Sequence, residues 1–412
     1  MKNKKIAIIG AGPIGLEATL YALQLGYEVE IFEKGEVGSN ILNWGHVSLF
    51  SPWRMNHSSL SQALLKKNQP KWQEPGPEDY LTGKEYVENY LLPLSKLPQL
   101  AKKIHTNTHV QHIGREQILK GDLIGEAHRA NFLFRILSID SQGKEKCYSV
   151  NIVIDASGVY DNHNWLGDGG IPALDEKQSE SFIAYGLEDI HGSDRTKYAG
   201  KKTLLVGAGY SAATAIADFQ NLIREEPQTS VLWVIRENRQ EPIVVIEGDP
   251  LPNRAQLTEI ANSIAKNGQH QIEFRNNTTI DSIQFLENKD KFIVGLNSNG
   301  LMVKVEVDRV IANVGYGPDN SLYRELQVHE CYASRGPMKL SAVLLGASAT
   351  DCLAQTSHGA ATLKNPEPNF YIIGNKSYGR NSTFLIRIGL SQIQEVFTLI
   401  TGDEKLNLYE LA

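Results

Sequence analysis

The chain contains 412 residues, of which 41% are hydrophobic and 21% are charged, with a formal net charge of −6. This length and composition predict two or three globular domains and argue against nucleic-acid binding, which requires basic surface to neutralise phosphates. The three cysteines, Cys147, Cys331 and Cys352, are far apart, and no apolar stretch approaches the ~20 residues that span a bilayer, so we expect a cytoplasmic protein with neither a disulfide framework nor a membrane partner.

The first motif in chain order follows a short apolar run at residues 6–9, which is typical of a strand buried on both faces of a parallel sheet. Gly10, Gly12 and Gly15 come next with Gly-x-Gly-x-x-Gly spacing, and the Leu- and Ala-rich stretch after them predicts a helix. A second strand is expected to end at Glu33, an acid that can accept hydrogen bonds from ribose hydroxyls. This order predicts a dinucleotide-binding unit, although the motif alone does not choose between FAD and NAD.

Each part of this motif has a physical role. Gly10 allows a tight turn, Gly12 lets the backbone approach a pyrophosphate, and Gly15 lets the helix and strand pack closely. Pro13 suits the first helical turn, where its missing N–H is no loss. The helix N-terminus offers N–H groups and a partial positive charge to phosphates. The alternative is a glycine-rich turn that only connects a strand to a helix.

Less regular elements follow this unit. Residues 77–104 are expected to form loop and helix, and residues 132–139 a strand. Residues 148–154 are expected to form one further strand, which ends in the turn Asp155-Ala156-Ser157-Gly158.

A second apolar strand precedes Gly207, Gly209 and Ala212, which repeat the motif with alanine as the third small residue. The strand after the predicted helix is followed by Arg236 rather than by an acid, and Arg239 lies close by. An arginine there can pair with a 2′-phosphate, so NADPH is favoured over NADH. The alternative is that both arginines are solvated loop charges.

The turn Asn313-Val314-Gly315-Tyr316 follows another apolar strand and echoes the turn at Asp155, so the second unit is expected to end near residue 318. The remainder is short for a third domain and is expected to return to the first. It contains a buried strand that runs into Gly374 and a final helix predicted from Thr383 to Ile400.

These motifs resemble the flavoproteins with two dinucleotide-binding domains, which include flavin-containing monooxygenases and thioredoxin-reductase-like enzymes. The resemblance implies an α/β fold of two Rossmann-like, three-layer dinucleotide-binding domains, with the NADP domain inserted into the FAD domain. We therefore expect an FAD domain in residues 1–195 and 319–412 and an NAD(P) domain in residues 196–318.

The resemblance also implies which residues bind the two cofactors, while no metal ligands are expected. For FAD they are Gly10, Gly12, Pro13, Ile14, Gly15, Glu33, Lys34, Trp44, Val110, Ala156, Ser157, Gly158, Gly374, Asn375, Ser382 and Thr383. For NADPH they are Gly207, Gly209, Tyr210, Ser211, Ala212, Arg236, Arg239 and Asn313. Asn375 replaces the acid of the family's Gly-Asp pair, and Tyr210 replaces an asparagine.

Residues 43–57 interleave aromatic side chains with Asn, His and Ser, and by position they resemble the loop that faces the flavin ring. Trp44 is a candidate to stack near that ring. Asn56 is a candidate to hydrogen-bond an oxygen intermediate of the flavin, and His46 or His57 to relay a proton. The alternative is a packed aromatic loop that only covers the cofactor.

The cysteines lack the close spacing that disulfide reduction requires. The monooxygenase branch fits better, although its signature around His191 is incomplete. We expect an NADPH-using flavin enzyme that acts on a small molecule and, as a monooxygenase, on O₂. The alternatives are an NAD(P)H-dependent flavin reductase or dehydrogenase without oxygen insertion, and a non-catalytic flavin redox sensor.

Overall fold

The computed structural model describes residues 4–268, 271–346 and 357–410. They divide into two compact units: unit 1 comprises the described parts of Met1–Asn162 and Gly317–Ala412, and unit 2 is His163–Tyr316. The sequence prediction placed the first break at residue 195. Residues 163–195 group with unit 2 because isolated bridges join them to it, as at Ala184 with Ile311.

The first segment of unit 1 contains seven strands and two longer helices. The strands are β1 (Lys5–Ile9), β2 (Glu28–Phe32), β3 (Ile104–His105), β4 (Thr108–Arg115), β5 (Phe134–Asp140), β6 (Glu145–Val150) and β7 (Ile152–Asp155). The helices are α1 (Pro13–Gln24) and α2 (Ser59–Asn68). Shorter helical turns lie at Ser39–Leu42, Trp53–Met55, Gly83–Tyr86, Val87–Leu91, Leu92–Ser95 and Ala127–Asn131.

Unit 2 also contains seven strands and two longer helices. The strands are β8 (Lys202–Val206), β9 (Ser230–Val234), β10 (Ile272–Arg275), β11 (Thr278–Leu286), β12 (Lys291–Ser298), β13 (Leu301–Val307) and β14 (Arg309–Ala312). The helices are α3 (Tyr210–Glu225) and α4 (Pro252–Asn267). Shorter turns lie at Asp168–Gly170, Glu176–Ser179, Glu180–Phe182, Arg195–Tyr198 and Glu287–Lys289.

The last segment returns to unit 1. It supplies helix α5 (Met338–Gly346), strand β15 (Phe370–Ile372) and helix α6 (Ile386–Thr401). Short turns lie at Ser321–Tyr323, Ala360–Leu363 and Gly374–Tyr378.

Unit 1 has three layers around a five-stranded parallel sheet in the order β15-β7-β1-β2-β3. On one face, Ile6 and Ile8 of β1 lie in a core that includes α1 and α6. On the other face, Ala7 and Ile9 lie in a core with the antiparallel sheet β4-β5-β6. Because successive side chains of a strand point to opposite faces, both must be apolar, which explains the unbroken apolar run.

Unit 2 repeats this layering around a parallel sheet in the order β10-β9-β8-β14. Leu205 of β8 faces α3 and α4, whereas Leu204 faces the antiparallel sheet β11-β12-β13. The α/β fold with two Rossmann-like units, one inserted into the other, is therefore confirmed.

Two element predictions were wrong. Residues 148–154 form two strands rather than one, because the chain leaves the antiparallel sheet at Asn151, where the side chain accepts a hydrogen bond from the Lys5 N–H at 2.9 Å. The final helix begins at Ile386 and not at Thr383, because the Asn381 side chain accepts hydrogen bonds from the Thr383 N–H and hydroxyl and holds that residue in a turn. Of the helices described, none is long and apolar enough to cross a membrane.

Candidate nucleotide-binding sites

The glycine turn after β1 is packed so closely that two of its residues have no room for a side chain. A Cβ on Gly15 would lie 1.9 Å from the Gly10 carbonyl oxygen, and a Cβ on Gly10 would lie 2.7 Å from the Ala156 carbonyl oxygen. Gly10 also has a φ of +97°, in the region that favours glycine. Strand, turn and helix are therefore fixed against one another.

Gly12 differs from its neighbours because it faces open space. It is the N-cap residue of α1, and a Cβ there would lie more than 4 Å from every described atom outside its own turn. Pro13 occupies the first turn, no side chain of the N-cap residue caps the helix, and the first turn itself contains no acidic residue. The free N–H groups and the helix dipole therefore present an anion-binding surface.

Glu33 lies beside this surface, where it accepts the Ala11 N–H at 2.7 Å and the Gly35 N–H at 2.9 Å, one on each carboxylate oxygen. Burial raises the pKa of Glu33 and outweighs the effect of these two donors. Each oxygen retains a lone pair for a ribose hydroxyl. Lys34 is exposed and pairs with Asp161 at 3.7 Å.

The turn after β7 carries a buried ion pair that the sequence prediction missed. Lys376 Nζ lies 2.7 Å from Asp155 Oδ2 and 3.1 Å from Ser157 Oγ, and both charged side chains are almost fully buried. Ser157 also donates its hydroxyl to Asp155 at 2.7 Å. The pair joins the Ala156-Ser157-Gly158 turn to the turn after β15. A lysine directly after Gly374-Asn375, close to the apolar run at residues 370–373, was the available signal.

Gly374 is held at the start of its turn by Gln392 of α6, whose side-chain oxygen accepts the Gly374 N–H at 2.8 Å. With a φ of +71°, Gly374 lies 3.5 Å from Ile14 of α1, measured from the position that a Cβ would take. Asn375 is half-buried beside it. The structure thus brings Gly374 and α1 together.

Three other predicted contacts lie elsewhere in unit 1. Val110 is buried in β4, so that only its backbone is available to a ligand. Ser382 and Thr383 lie in the loop before α6 and not in its first turn, and their contact with FAD stays a prediction.

The loop at residues 43–57 gives its candidates different environments. His46 is exposed, whereas Trp44 packs on Gly83, and its buried Nε1 has no hydrogen-bond partner among the described residues. Asn56 is 3% exposed, and its amide donates to the Ser51 and Pro52 carbonyls and accepts the Ser51 hydroxyl. The Asn56 amide is therefore already engaged inside the loop, which supports the packed-loop alternative.

Unit 2 repeats the glycine turn. Gly207 has a φ of +145°, and a Cβ there would lie 2.3 Å from the Asn313 carbonyl oxygen. Gly209 is the N-cap of α3 and faces open space, and Tyr210 and Ser211 begin the helix. Ala212 is fully buried in the helix-side core. No described side chain caps this helix either.

The arginines after β9 have unequal surroundings. The Arg236 side chain is 74% exposed, and its only described partner is Glu237 at 3.2 Å. Arg239 is half-buried, and its buried Nε has no hydrogen-bond partner in the part of the chain that the structure describes. Asn313 donates to the Gly186 carbonyl at 2.8 Å, while its buried Oδ1 lacks a described donor. Polar atoms left without partners near a glycine turn fit a site that a ligand completes.

A family model described as pyridine nucleotide-disulphide oxidoreductase matches residues 7–120. Bacillithiol disulfide reductase from Bacillus cereus superposes with a TM-score of 0.68 at 16% identity, covering 98% of this chain and 100% of the other. Ornithine N-hydroxylase from Kutzneria sp. 744 was solved with reduced FAD, NADP⁺ and L-ornithine. It superposes with a TM-score of 0.64 at 12% identity, covering 98% of this chain and 100% of the other. Thioredoxin reductase from T. acidophilum superposes with a TM-score of 0.59 at 16% identity, covering 97% of this chain and 100% of the other.

The chain has the fold of the flavoproteins with two dinucleotide-binding domains. Among sequence relatives, kynurenine 3-monooxygenase from Phaeosphaeria nodorum is 29% identical over 143 residues, which are 35% of this chain and 24% of that protein. An uncharacterized protein from Methanocaldococcus jannaschii is 44% identical over 41 residues, 10% of each. This chain thus matches less than a quarter of the length of those two relatives.

The residues of this flavoprotein fold fit two nucleotides. In unit 1, the open face at Gly12, the uncapped α1 and the Glu33 carboxylate offer donors for a pyrophosphate and acceptors for a ribose. In unit 2, the open face at Gly209 offers donors, and Arg236, which pairs with the neighbouring Glu237, offers a cation. The two sites therefore differ in the charged side chain that each presents beside its glycine turn.

Proposed function

We propose that the protein is an FAD-dependent, NADPH-using oxidoreductase that acts on a small molecule, with FAD in unit 1 and NADPH in unit 2. The observation that carries this proposal is the pair of uncapped, glycine-lined helix N-termini. The strand after the first of these helices leads to Glu33, and the strand after the second leads to Arg236. An acid accepts ribose hydroxyls, whereas an arginine pairs with a 2′-phosphate.

Bound FAD would supply the redox chemistry of the site, namely hydride acceptance from NADPH and electron transfer to O₂ or to another acceptor. The chain's own residues bind and orient the two nucleotides. In unit 1, α1 would face the pyrophosphate, and Glu33 would accept from the ribose. The Asp155–Lys376 pair would hold the two adjoining turns in place. In unit 2, α3 and Arg236 would bind the phosphates of NADPH.

We favour oxygen insertion as the finer activity, by analogy with the ornithine N-hydroxylase and with a cadaverine monooxygenase from Erwinia amylovora that has a TM-score of 0.62 at 13% identity. Disulfide reduction needs two thiols that meet at the flavin. Of the described cysteines, Cys147 is exposed on β6 and Cys331 is buried before α5, and neither forms a disulfide. Cys352 lies outside the described residues.

A reductase without oxygen insertion is the second candidate, and the bacillithiol disulfide reductase superposition favours it. NADPH oxidation by the purified chain under ¹⁸O₂, with L-ornithine and cadaverine as first acceptors, separates the two. A product carrying ¹⁸O supports the monooxygenase. Hydrogen peroxide as the sole oxygen product, together with NADPH-dependent reduction of a disulfide, supports the reductase. A chain that binds flavin but turns over no NADPH with any acceptor would support the redox-sensor alternative.

A further inference from the structure

Strand β13 is the outer strand of the antiparallel sheet β11-β12-β13 in unit 2. It pairs with β12 from Leu301 to Val307, and among the described residues no strand pairs with its other side. An edge of this kind presents a row of backbone donors and acceptors that can pair with a further strand.

The apolar face of this sheet continues past its covered part. Val303 and Val305 of β13 stand opposite Leu296 and Val294 of β12, which are fully buried in the unit 2 core. On the same face, Leu301 is 71% exposed and Val303 is 39% exposed. Another strand beside β13 would cover these side chains and continue the apolar layer.

The opposite face of β13 carries Lys304 and Glu306, two residues apart and both exposed. In an antiparallel pair of identical strands centred on Val305, Lys304 of one copy stands opposite Glu306 of the other, and the same pair occurs twice. Residues directly opposite in such a pair have Cβ atoms about 4.5–5.5 Å apart, close enough for an ion pair. Glu306 also contacts Lys291 of its own sheet at 2.6 Å and can serve both lysines with its two oxygens.

We propose that two copies of this chain associate through antiparallel β13–β13 pairing, with Lys304 opposite Glu306 across a two-fold axis. A second copy is the occupant that the charges select, because the Lys-x-Glu pattern is complementary to itself. Such an interface is isologous and closes at the dimer, since each copy uses its one β13 edge. The pairing is independent of the proposed catalysis.

The test is sedimentation of the full chain over a wide concentration range, with charge reversals at the two positions. Lys304→Glu and Glu306→Lys each place like charges opposite one another twice, so we expect each to weaken dimerisation roughly tenfold or more. The double variant restores opposite charges and should recover most of the wild-type affinity. Lys144→Glu, in an exposed hairpin turn of unit 1, is the control and should leave dimerisation unchanged.

Circular dichroism verifies that each variant is folded, and amide hydrogen exchange locates the contact. Protection of the β13 amides that grows with protein concentration supports the pairing. A wild-type chain that stays monomeric overturns the proposal. A dimer that tolerates both single reversals, or a double variant no better than the singles, also overturns it, as does concentration-dependent protection confined to other strands.

Discussion

At the scale of single residues, the buried carboxylates of Glu17, Asp155 and Glu367 in unit 1 are each compensated differently. Glu367 accepts hydrogen bonds from Arg115 at 2.8 Å and Arg129 at 2.9 Å, with all three side chains almost completely buried. Asp155 has the single lysine described above. Glu17 of α1 faces only hydroxyl groups, since the Ser58 and Tyr90 hydroxyls donate to it at 2.9 and 2.8 Å.

Glu367→Gln should destabilise the protein severely. Two buried guanidinium groups would lose their only described anionic partner, and breaking a buried ion pair on one side costs about 3–5 kcal/mol. Urea titration gives the change in the free energy of unfolding. Glu78→Gln is the control, because the Arg54–Glu78 pair is exposed and should contribute little. Equal effects from both substitutions would contradict this account.

Glu17→Gln should alter how stability depends on pH. Burial raises the pKa of Glu17 despite the hydrogen bonds from Ser61, Tyr90 and Ser58. A raised folded-state pKa stabilises the fold at low pH, and this contribution is lost as pH rises from the unfolded value of about 4.3 through the folded pKa. The stability of the variant relative to wild type should therefore increase with pH. Urea titrations at several pH values give the free energy of unfolding of both proteins. A difference between the two that stays the same from acidic to neutral pH would refute the prediction.

Arg236→Ala should weaken NADPH binding much more than NADH binding. The loss of a charge-assisted contact to a 2′-phosphate corresponds to about tenfold or more in Kd. Calorimetric titration with both nucleotides measures the difference, and Arg224→Ala, an exposed arginine in the last turn of α3, is the control. If the substitution weakened NADPH binding and NADH binding equally, Arg236 would be a solvated loop charge and not a 2′-phosphate ligand.

At the scale of elements, local patterns predicted the glycine turns, both parallel-sheet centres and their first helices, because strand, turn and helix follow within about 30 residues. The break at Asn151 was missed because a strand-like sequence pattern does not show whether its residues join one sheet or two. The environment of Asn56 and the Asp155–Lys376 pair depend on contacts between distant segments. Periodicity carries no information about such contacts.

Helix α1 provides a matched pair of substitutions. Gly15→Ala places a methyl group 1.9 Å from the Gly10 carbonyl oxygen and should push the helix off the strand, with loss of stability and of bound flavin. Gly12→Ala meets no described atom and should leave the apo-protein stability nearly unchanged while it weakens flavin retention. Thermal melts of the apo-proteins, together with flavin content, separate the two effects. A Gly12→Ala variant that retains flavin as wild type does would contradict the pyrophosphate site.

At the scale of the whole molecule, the chain is a flavoprotein fold in which one Rossmann-like unit interrupts another. The sequence predicted this arrangement because each unit contains its own strand–glycine–helix signal and the last segment is short for a third domain. The finer chemistry was not predictable, since it depends on which side chains meet the flavin ring and not on the motifs that bind its phosphates.

We propose that the two units bind different nucleotides and that electrons pass from NADPH to FAD. The most direct measurement is anaerobic stopped-flow reduction of the FAD-loaded chain, monitored by its flavin absorbance, with NADPH and NADH compared at equal concentrations. We predict stoichiometric FAD and faster bleaching by NADPH, with the preference abolished in Arg236→Ala. A chain that binds no flavin, or a bound flavin that neither nucleotide reduces, would contradict the account.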